Sequence, residues 1–307
     1  MTQMMVVTHG GTDSKTEDSD GCEAAARRAL ERMGSGEDVL EAAVSAVEVM
    51  EADGRFGAGR GGYLSMDGKT IELDAAVMDT RGRLGAVAGV EEVVHAVRLA
   101  RHVADTPHVL IVGTGATELA RKLGLQQRFE PTEKVRKEFR EYVEKLEKAG
   151  PPQGPADDTE SDAGRALVKK FWNYDVPWQQ VMDEYGHGTV GAVARDGRGH
   201  FAVAVSTAGS MPALRGRVAD IPLIGCGFYA GPAGAVACSG IGEHNVRHLT
   251  AYRVYQWIEQ GMPLREALER GMNLTPEGLQ SGLIGITHDD AQVVSRKPLA
   301  HARLGHG

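Results

Sequence analysis

The junction between Gly188 and Thr189 has the residue types that a self-generated nucleophile requires. Taken alone, a threonine that begins a strand is ordinary, because β-branched residues favour strands. If the peptide bond before Thr189 were cut, however, that residue would carry both a hydroxyl and a free α-amine. An α-amine has an ordinary pKa of about 7.7–8.0 and can serve as general base for the neighbouring hydroxyl. Branching at Cβ also restricts the rotamer and so fixes the direction of the hydroxyl.

The residues on both sides of the junction suit such a cut. Gly188 places no side chain beside the carbonyl that the hydroxyl would attack. The attack would give an ester by an N-to-O shift, and water would then separate the two segments. Residues 150–188 are predicted to be a flexible linker, since 149–164 is rich in proline and acidic residues and lacks periodicity. The segment after the junction has the pattern of a buried strand, which would hold the new N-terminus.

Residues able to bind a zwitterionic amino acid follow the junction. Arg217 and Asp220 lie in one predicted loop, where a surface ion pair of little energetic value is the plain interpretation. The functional interpretation is a clamp, in which the guanidinium binds an α-carboxylate and the carboxylate binds an α-ammonium. Thr207 ends the second strand of the hairpin that begins at Thr189, so it is expected near the start of the first strand.

The stretch "CSGIGE" (238–243) ends a predicted strand and begins a helix. An ordinary strand–helix turn is the plain interpretation. The functional one is an oxyanion hole, with backbone N–H groups near Gly240 and the Ser239 hydroxyl as donors. No single feature outweighs its plain interpretation, but their joint order along the chain indicates a site.

The elements that must position these residues are predicted from hydrophobic periodicity. Strands or hairpins are expected at 4–9, 63–79, 84–90, 108–113, 189–210, 234–242 and 282–297. Helices are expected at 21–33, 36–52, about 92–104, 115–123, 132–149, 243–261 and 263–273. Helices grouped between runs of strands indicate stacked sheets covered by helices, rather than the regular alternation of a doubly wound sheet.

Composition excludes several classes of protein. The chain has 307 residues, 42% of them hydrophobic, which is enough for a substantial core. Its net charge of −8 disfavours nucleic acid and anionic membranes as partners. No apolar run reaches the roughly 18–20 residues of a membrane span, and the N-terminus lacks a signal-peptide pattern. Three widely spaced cysteines fit a reducing compartment, so a cytoplasmic location is expected.

Two other motifs carry weaker functional interpretations. The stretch "GTGATE" (113–118) follows a strand, but Glu118 stands where the dinucleotide fingerprint needs glycine. His244 and His248 are four residues apart, yet Asn245 breaks the HExxH pattern of zinc proteases. No GxSxG elbow of an α/β-hydrolase occurs. Neither a bound nucleotide nor a catalytic cofactor is therefore expected.

Several ordered motifs together resemble one family. From Thr189 onward they are "HGTVGAVA", "VSTAGS", "GRVADIPLIGCGFYA" and "CSGIGE"; before it they are "THGG", "RFGAGRG", "ELDAAVMD", "GAVAGV" and "TPHVLIVGTGA". These resemble the plant-type asparaginase and isoaspartyl peptidase family of N-terminal nucleophile hydrolases. The resemblance covers nearly the whole chain.

The resemblance implies an α+β fold, specifically a four-layer αββα sandwich. It implies self-cleavage into an α-subunit, 1–188, and a β-subunit, 189–307, which together form one domain and assemble as (αβ)₂. The implied reaction is hydrolysis of β-aspartyl amides, either isoaspartyl dipeptides or L-asparagine, with release of L-aspartate. Isoaspartyl dipeptides are the favoured substrate of the two, and the substrate is a small molecule.

The resemblance also assigns roles to single residues. Thr189 matches the nucleophile, Thr207 the second threonine that supports it, and Gly240 the oxyanion N–H. Arg217 and Asp220 match the clamp on the substrate's α-carboxylate and α-ammonium. A structural sodium ion, or potassium, is implied in the loop from 50 to 60, held by backbone carbonyls of Met50, Glu51, Asp53, Phe56, Ala58 and Arg60.

The sequence departs from the family pattern beside these residues. Ser239 stands where threonine is usual, which keeps a hydroxyl, whereas Ile241 removes one. Gly57 replaces an asparagine that lies near the site in relatives. Three alternatives stay open: a glycosylasparaginase-like or a taspase-like hydrolase of the same fold, and, because of Gly57 and Ile241, a processing-deficient member that binds without catalysis.

Overall fold

The computed structural model of the chain describes residues 2–148, 187–211 and 213–306. The predicted linker at 150–188 lies outside these residues except at its last two positions. The eleven strands of the described residues are β1 Met4–His9, β2 Leu73–Asp79, β3 Leu84–Val90, β4 Leu110–Val112, β5 His187–Arg195, β6 Phe201–Ser210, β7 Phe228–Gly231, β8 Gly234–Gly240, β9 Ser281–Ile286, β10 Ala291–Ser295 and β11 His301–His306.

The strands form two sheets, and the predicted hairpin after the junction is the centre of the larger one. That sheet has seven strands in the order β11-β1-β5-β6-β2-β3-β4, and the smaller one has the order β10-β9-β8-β7. The described pairings are antiparallel, save β3 with β4. The central position buries β5 and β6 on both faces, which explains their continuous apolar runs.

The eight α-helices of the described residues are α1 Ser19–Gly34, α2 Val39–Asp53, α3 Ala96–Val103, α4 Gly113–Lys122, α5 Glu133–Lys148, α6 Gly242–His248, α7 Thr250–Glu259 and α8 Leu264–Met272. Short 3₁₀ turns lie at Thr16–Asp18 and Gly59–Gly61. The start of α2 is capped by Asp38, whose carboxylate accepts from the N–H groups of Leu40 and Glu41. None of the described helices combines the length and apolarity needed to cross a bilayer.

Three apolar clusters hold the elements together. Two of the clusters lie on opposite faces of β1. Val6 packs in one cluster with α1, α2 and α3, whereas its neighbour Val7 packs between the two sheets with Phe228 and Ile284. A third cluster joins the smaller sheet to α7 and α8. The protein therefore has an α+β fold, with helices on the larger sheet, helices on the smaller sheet and a core between the sheets.

The structure corrects two predicted elements. The expected hairpin at 63–79 is wrong: Asp67 makes a local turn, and β2 pairs instead with β3 and β6, which occupy both of its edges. The expected single helix at 243–261 is two helices, because Leu249 between α6 and α7 adopts a left-handed conformation with φ of 50°. Strands β7 and β11 were not predicted.

Candidate active site

Thr189 and Thr207 lie opposite each other on β5 and β6. Both are buried, with 5% and 4% of their surface exposed. The Thr207 hydroxyl donates to the carbonyl oxygen of Gly188 and accepts the N–H of Gly209 at 2.9 Å. The carbonyl that a Thr189 hydroxyl would attack therefore already bears a hydrogen bond, which withdraws electron density from its carbon.

Gly57 and Gly188 bring two backbone segments into direct contact. A Cβ added to either glycine would lie 2.4 Å from the Cα of the other. The amide of Ala208 donates to the Gly57 carbonyl at 3.0 Å, which fixes the loop against β6. The ring of Tyr63 closes the same spot, 2.9 Å from where a Gly188 side chain would begin. The departure at Gly57 is thus a packing requirement for the junction as it stands in this chain.

Asp220 is a buried carboxyl at the site. It accepts a hydrogen bond from the Asn245 amide at 2.8 Å, and 5% of its surface is exposed. Burial raises the pKa of Asp220 to about 6, although the Asn245 hydrogen bond and the Arg217 charge pull it down. Gly242 allows this approach, since a Cβ there would lie 2.5 Å from the Asp220 carboxylate. Asp220 is therefore mostly ionised at neutral pH and suited to an α-ammonium.

Arg217 is held by Glu243, a residue that sequence reasoning missed. Two guanidinium nitrogens donate to the Glu243 carboxylate at 2.8–3.0 Å. The Nη1 atom lies 3.2 Å from the position that a Cβ on Gly209 would take. Because Gly209 also donates to Thr207, the guanidinium lies beside the second threonine. The only early signal for Glu243 was its place directly after the "SGIG" stretch.

Ser239 is linked to Thr189 through two residues that follow β1. The N–H of Thr12 donates to the Ser239 hydroxyl at 3.0 Å. Its neighbour Gly11, with φ of +96°, lies so close to β5 that a Cβ would be 2.5 Å from the Thr189 carbonyl oxygen. Since the Ser239 oxygen accepts from Thr12, its own hydrogen is available to another acceptor.

Gly240 ends β8 in a conformation that requires glycine. Its φ is +127°, and a Cβ would lie 2.4 Å from the Gln280 carbonyl oxygen. Ile241, the departure that follows, is buried with 6% of its surface exposed. Its apolar side chain therefore occupies protein interior where the family pattern has a hydroxyl.

The loop from 50 to 60 offers backbone oxygens. The end of α2 leaves its last carbonyls without helical partners, at the negative end of the helix dipole. The oxygens of Phe56 and Gly54 lie 2.1 and 2.7 Å from the position that a Cβ on Gly61 would take. The Glu51 oxygen lies 2.3 Å from the corresponding position on Gly59. This oxygen-rich cradle has the donor type that hard cations prefer.

The side chains of that loop serve other purposes. The Glu51 carboxylate is buried and accepts from Ser206 at 2.6 Å and from the Val97 amide at 3.1 Å. Across 2–148, 187–211 and 213–306, no cluster of three or more histidine, cysteine or acidic side chains is arranged to hold a metal ion. Any ion in the loop would therefore depend on carbonyls. The other residues assigned to this role are Met50, Asp53, Ala58 and Arg60.

Asp74 is a second buried acid at the site, besides Asp220, and the sequence analysis did not predict it. It pairs with Thr207 in the β2–β6 register and accepts the Gly89 N–H at 2.8 Å. Burial raises the pKa of Asp74 to about 7, against the Gly89 hydrogen bond and the nearby Arg217 charge. An acid inside the apolar run "ELDAAVMD" was the available signal.

Comparison with known proteins relates this geometry to a family. A family model described as asparaginase matches residues 2–298. The chain is 36% identical over 296 residues to a plant-type L-asparaginase of Pyrobaculum calidifontis, covering 92% of this chain and 89% of that protein. It is 33% identical over 296 residues to an isoaspartyl peptidase/L-asparaginase of Danio rerio, covering 93% and 86%. It is 37% identical over 264 residues to an isoaspartyl peptidase of Salmonella typhimurium, covering 83% and 76%.

Proposed function

We propose, since the chain belongs to the asparaginase family, that it is a hydrolase of β-aspartyl amides that cuts itself before Thr189. The substrates are isoaspartyl dipeptides and L-asparagine, because its relatives are named for isoaspartyl peptidase and L-asparaginase activity. One observation carries the proposal. The Thr207 hydroxyl donates to the carbonyl of Gly188, directly beside the threonine that would attack it.

Self-cleavage begins with attack of the Thr189 hydroxyl on the Gly188 carbonyl carbon. Thr207 stabilises the negative charge that develops on the carbonyl oxygen, since its hydrogen bond is already in place. The C–N bond breaks, the hydroxyl proton ends on the nitrogen, and an ester remains. The α-amine is free from that point, and hydrolysis of the ester then frees the Gly188 carboxylate and the Thr189 hydroxyl.

Substrate hydrolysis then reuses Thr189. Arg217 binds the α-carboxylate and Asp220 the α-ammonium, so that the β-aspartyl carbonyl faces the hydroxyl. The α-amine takes the hydroxyl proton as the covalent aspartyl ester forms, and ammonia or a peptide amine leaves. The Gly240 N–H and the Ser239 hydroxyl are the proposed oxyanion donors. Water releases L-aspartate and restores the enzyme.

We propose the four-layer αββα sandwich as the finer description of the fold. The separate cores support it: one lies between the sheets and one lies between each sheet and its helices. Residues 1–188 and 189–307 would become the α- and β-subunits of this single domain. The two would stay joined after the cut, because β5 pairs with β1 from the other subunit as well as with β6.

An (αβ)₂ assembly is part of the proposal. The edge strand β4 of the larger sheet exposes two apolar side chains, Leu110 and Val112, and the preceding residue Val109 a third, with 38%, 55% and 57% of their surface exposed. An apolar edge strand left in water invites pairing with another chain. A second copy of this chain is the proposed occupant.

A structural sodium or potassium ion in the loop from 50 to 60 is proposed as well. The carbonyl oxygens of Glu51 beside Gly59 and of Phe56 beside Gly61 support it. The ion would neutralise the α2 carboxyl end and rigidify the loop that carries Gly57. It has no part in the bond-making steps.

The intact mass of purified protein after incubation at neutral pH tests this function. We expect the 32.8 kDa chain to give two fragments that divide between Gly188 and Thr189. The cut protein should release L-aspartate from asparagine and from isoaspartyl dipeptides. A Thr189→Ala chain should stay whole and inactive. An uncut Thr189→Ala chain that still hydrolyses substrate would contradict the assignment of Thr189 as the nucleophile. A wild-type chain that stays uncut would favour the non-catalytic alternative.

A further inference from the structure

Asp13 is a carboxyl group beside the junction that the proposed mechanism leaves unused. Its Oδ2 accepts the hydroxyl of Tyr63. Its Oδ1 is shielded from solvent and has no hydrogen-bond partner in the part of the chain that the structure describes. A carboxylate oxygen in such surroundings is costly to leave unpaired. Burial accordingly raises the pKa of Asp13, against the Tyr63 hydrogen bond.

The unpaired oxygen lies near the nitrogen of Thr189. Gly11 lies beside both atoms, and a Cβ on Gly11 would lie 2.8 Å from Asp13 Oδ1 and 2.9 Å from Thr189 N. Because Gly11 has no side chain, nothing of its own stands between the carboxyl oxygen and the nitrogen. In the uncut chain that nitrogen belongs to a peptide bond. After the cut it would be an α-amine with three donors when protonated.

Tyr63 holds the carboxyl in this place. Its hydroxyl binds Asp13, and its ring edge lies 2.9 Å from where a Gly188 side chain would begin and 3.1 Å from the same point on Gly57. Packing against two glycines leaves the ring little freedom. The ring therefore ties the orientation of Asp13 to the position of the bond that is cut.

We propose that Asp13, held by Tyr63, binds the α-ammonium group that self-cleavage creates on Thr189. This inference rests on the proposed self-cleavage and adds a positioning residue to it. The unpaired oxygen gains the partner it lacks in the uncut chain, and the carboxylate stabilises the ammonium that forms when the amine takes the hydroxyl proton. A carboxylate beside an ammonium favours the charged form, so Asp13 raises the pKa of the amine.

Few other charges of the described residues interact with the pair. Lys134 and Glu138 of α5 interact with Asp13, and the Lys134 charge lowers its pKa. On the other side His9 contacts β5 near Gly191, but burial lowers the pKa of His9 to about 3. His9 is therefore neutral in the working range and adds no charge beside the amine.

The test is the titration of the amine itself. The cut protein is treated with cyanate at a series of pH values, and carbamoylation is followed on the peptide that begins at Thr189. Only the neutral amine reacts, so the pH dependence gives its pKa. We expect Asp13→Asn to lower that pKa by about one unit, a tenfold change in the acid dissociation constant. Asp289→Asn, at an exposed acid far from the junction in sequence, should leave it unchanged.

Tyr63→Phe is the second variant. It keeps the ring against Gly188 but removes the hydrogen bond that favours ionised Asp13, so a smaller shift in the same direction is expected. A cut Asp13→Asn protein with the wild-type amine pKa would overturn the inference. So would a folded Asp13→Asn chain that stays whole, which would assign Asp13 to the cutting step. If Asp13→Asn does not fold, an unchanged amine pKa in Tyr63→Phe would overturn the inference that Asp13 binds the ammonium.

These outcomes are separate from failure of the proposed function. Wild-type protein that is cut and active, with no shift in either variant, overturns the role of Asp13 alone. Wild-type protein that stays whole has no α-amine at Thr189 and overturns both proposals.

Discussion

Thr207 lies directly opposite Thr189 across the β5–β6 pair, and its hydroxyl donates to the carbonyl that Thr189 would attack. The register of one hairpin produces this arrangement, since a slip of one strand by one residue would turn its threonine to the other face of the sheet. The hydroxyl is itself held by the Gly209 N–H at 2.9 Å. The group proposed to polarise the junction is therefore oriented before any reaction occurs.

Replacing Thr207 should slow self-cleavage. Thr207→Val keeps the shape of the side chain but removes the donor to the Gly188 carbonyl, which should cost about 10²–10³ in rate. Thr207→Ser should retain most of the rate because it keeps the hydroxyl. The measurement is a time course of intact mass from freshly purified protein. A valine variant that matures at the wild-type rate would contradict this role.

Adding a side chain at Gly57 should impair both packing and cleavage. In Gly57→Ala the new methyl would lie 2.4 Å from the Gly188 Cα, and backbone cannot move as cheaply as a side chain. We expect a loss of about 1–3 kcal/mol in the free energy of unfolding, measured in urea, and a smaller cut fraction. Gly34→Ala is the matched control, because no atom lies within 4 Å of its added Cβ. Equal behaviour of the two variants would disprove the contact.

Removing the Arg217 guanidinium should abolish most substrate recognition. Arg217→Ala should lower kcat/KM by an amount that corresponds to about 2–5 kcal/mol of transition-state binding. The reason is the loss of a charge-assisted bidentate pair with the substrate's α-carboxylate. Glu243→Gln should cause a smaller loss, mainly in KM, since it weakens the support of the guanidinium. Arg215→Ala is the control: its side chain is 56% exposed and pairs with Glu91 on the surface. Unchanged kinetics in Arg217→Ala would remove that residue from the site.

Activity should depend on the ionisation of Asp220. Burial raises its pKa to about 6, so below that pH the carboxyl is neutral and cannot bind an α-ammonium. We expect kcat/KM to fall as the pH drops through about 6. Asp220→Asn should be nearly inactive at every pH. Full activity of wild-type protein at pH 5 would show that Asp220 does not bind the substrate amine.

The raised pKa of Asp220 also predicts that lowering the pH, which reduces activity, increases the stability of the folded chain. The pKa of Asp220 is higher in the folded chain than the ordinary value of 3.8, so ionisation opposes folding. Its destabilising contribution is present above pH 6 and is lost as the pH falls from 6 toward 4. The free energy of unfolding of wild-type protein, relative to Asp220→Asn, should therefore increase over that interval. Urea unfolding of both proteins at pH 7 and pH 5 measures the difference.

Local sequence patterns predicted most elements that carry the site. The hairpin from Thr189 was expected because two apolar runs flank Asp196-Gly197, and β5 and β6 confirm it. The similar pattern around Asp67-Gly68 predicted a hairpin that does not form. The apolar run after it is β2, which pairs with β3 and β6 instead. A strand at the centre of a sheet pairs with segments far away in the chain, and no local pattern records which ones.

The residue types of the chain set the chemistry that is available. The Gly188-Thr189 junction, the Arg217 and Asp220 loop and the "CSGIGE" stretch contain the necessary groups in one order, and residue type alone sets what each group can donate or accept. Which of these groups meet depends on how the chain folds. Asp13 lies near the backbone nitrogen of Thr189, and Glu243 holds Arg217, because packing of separate elements brings those groups together. Such contacts depend on distances in space, which sequence separation does not encode.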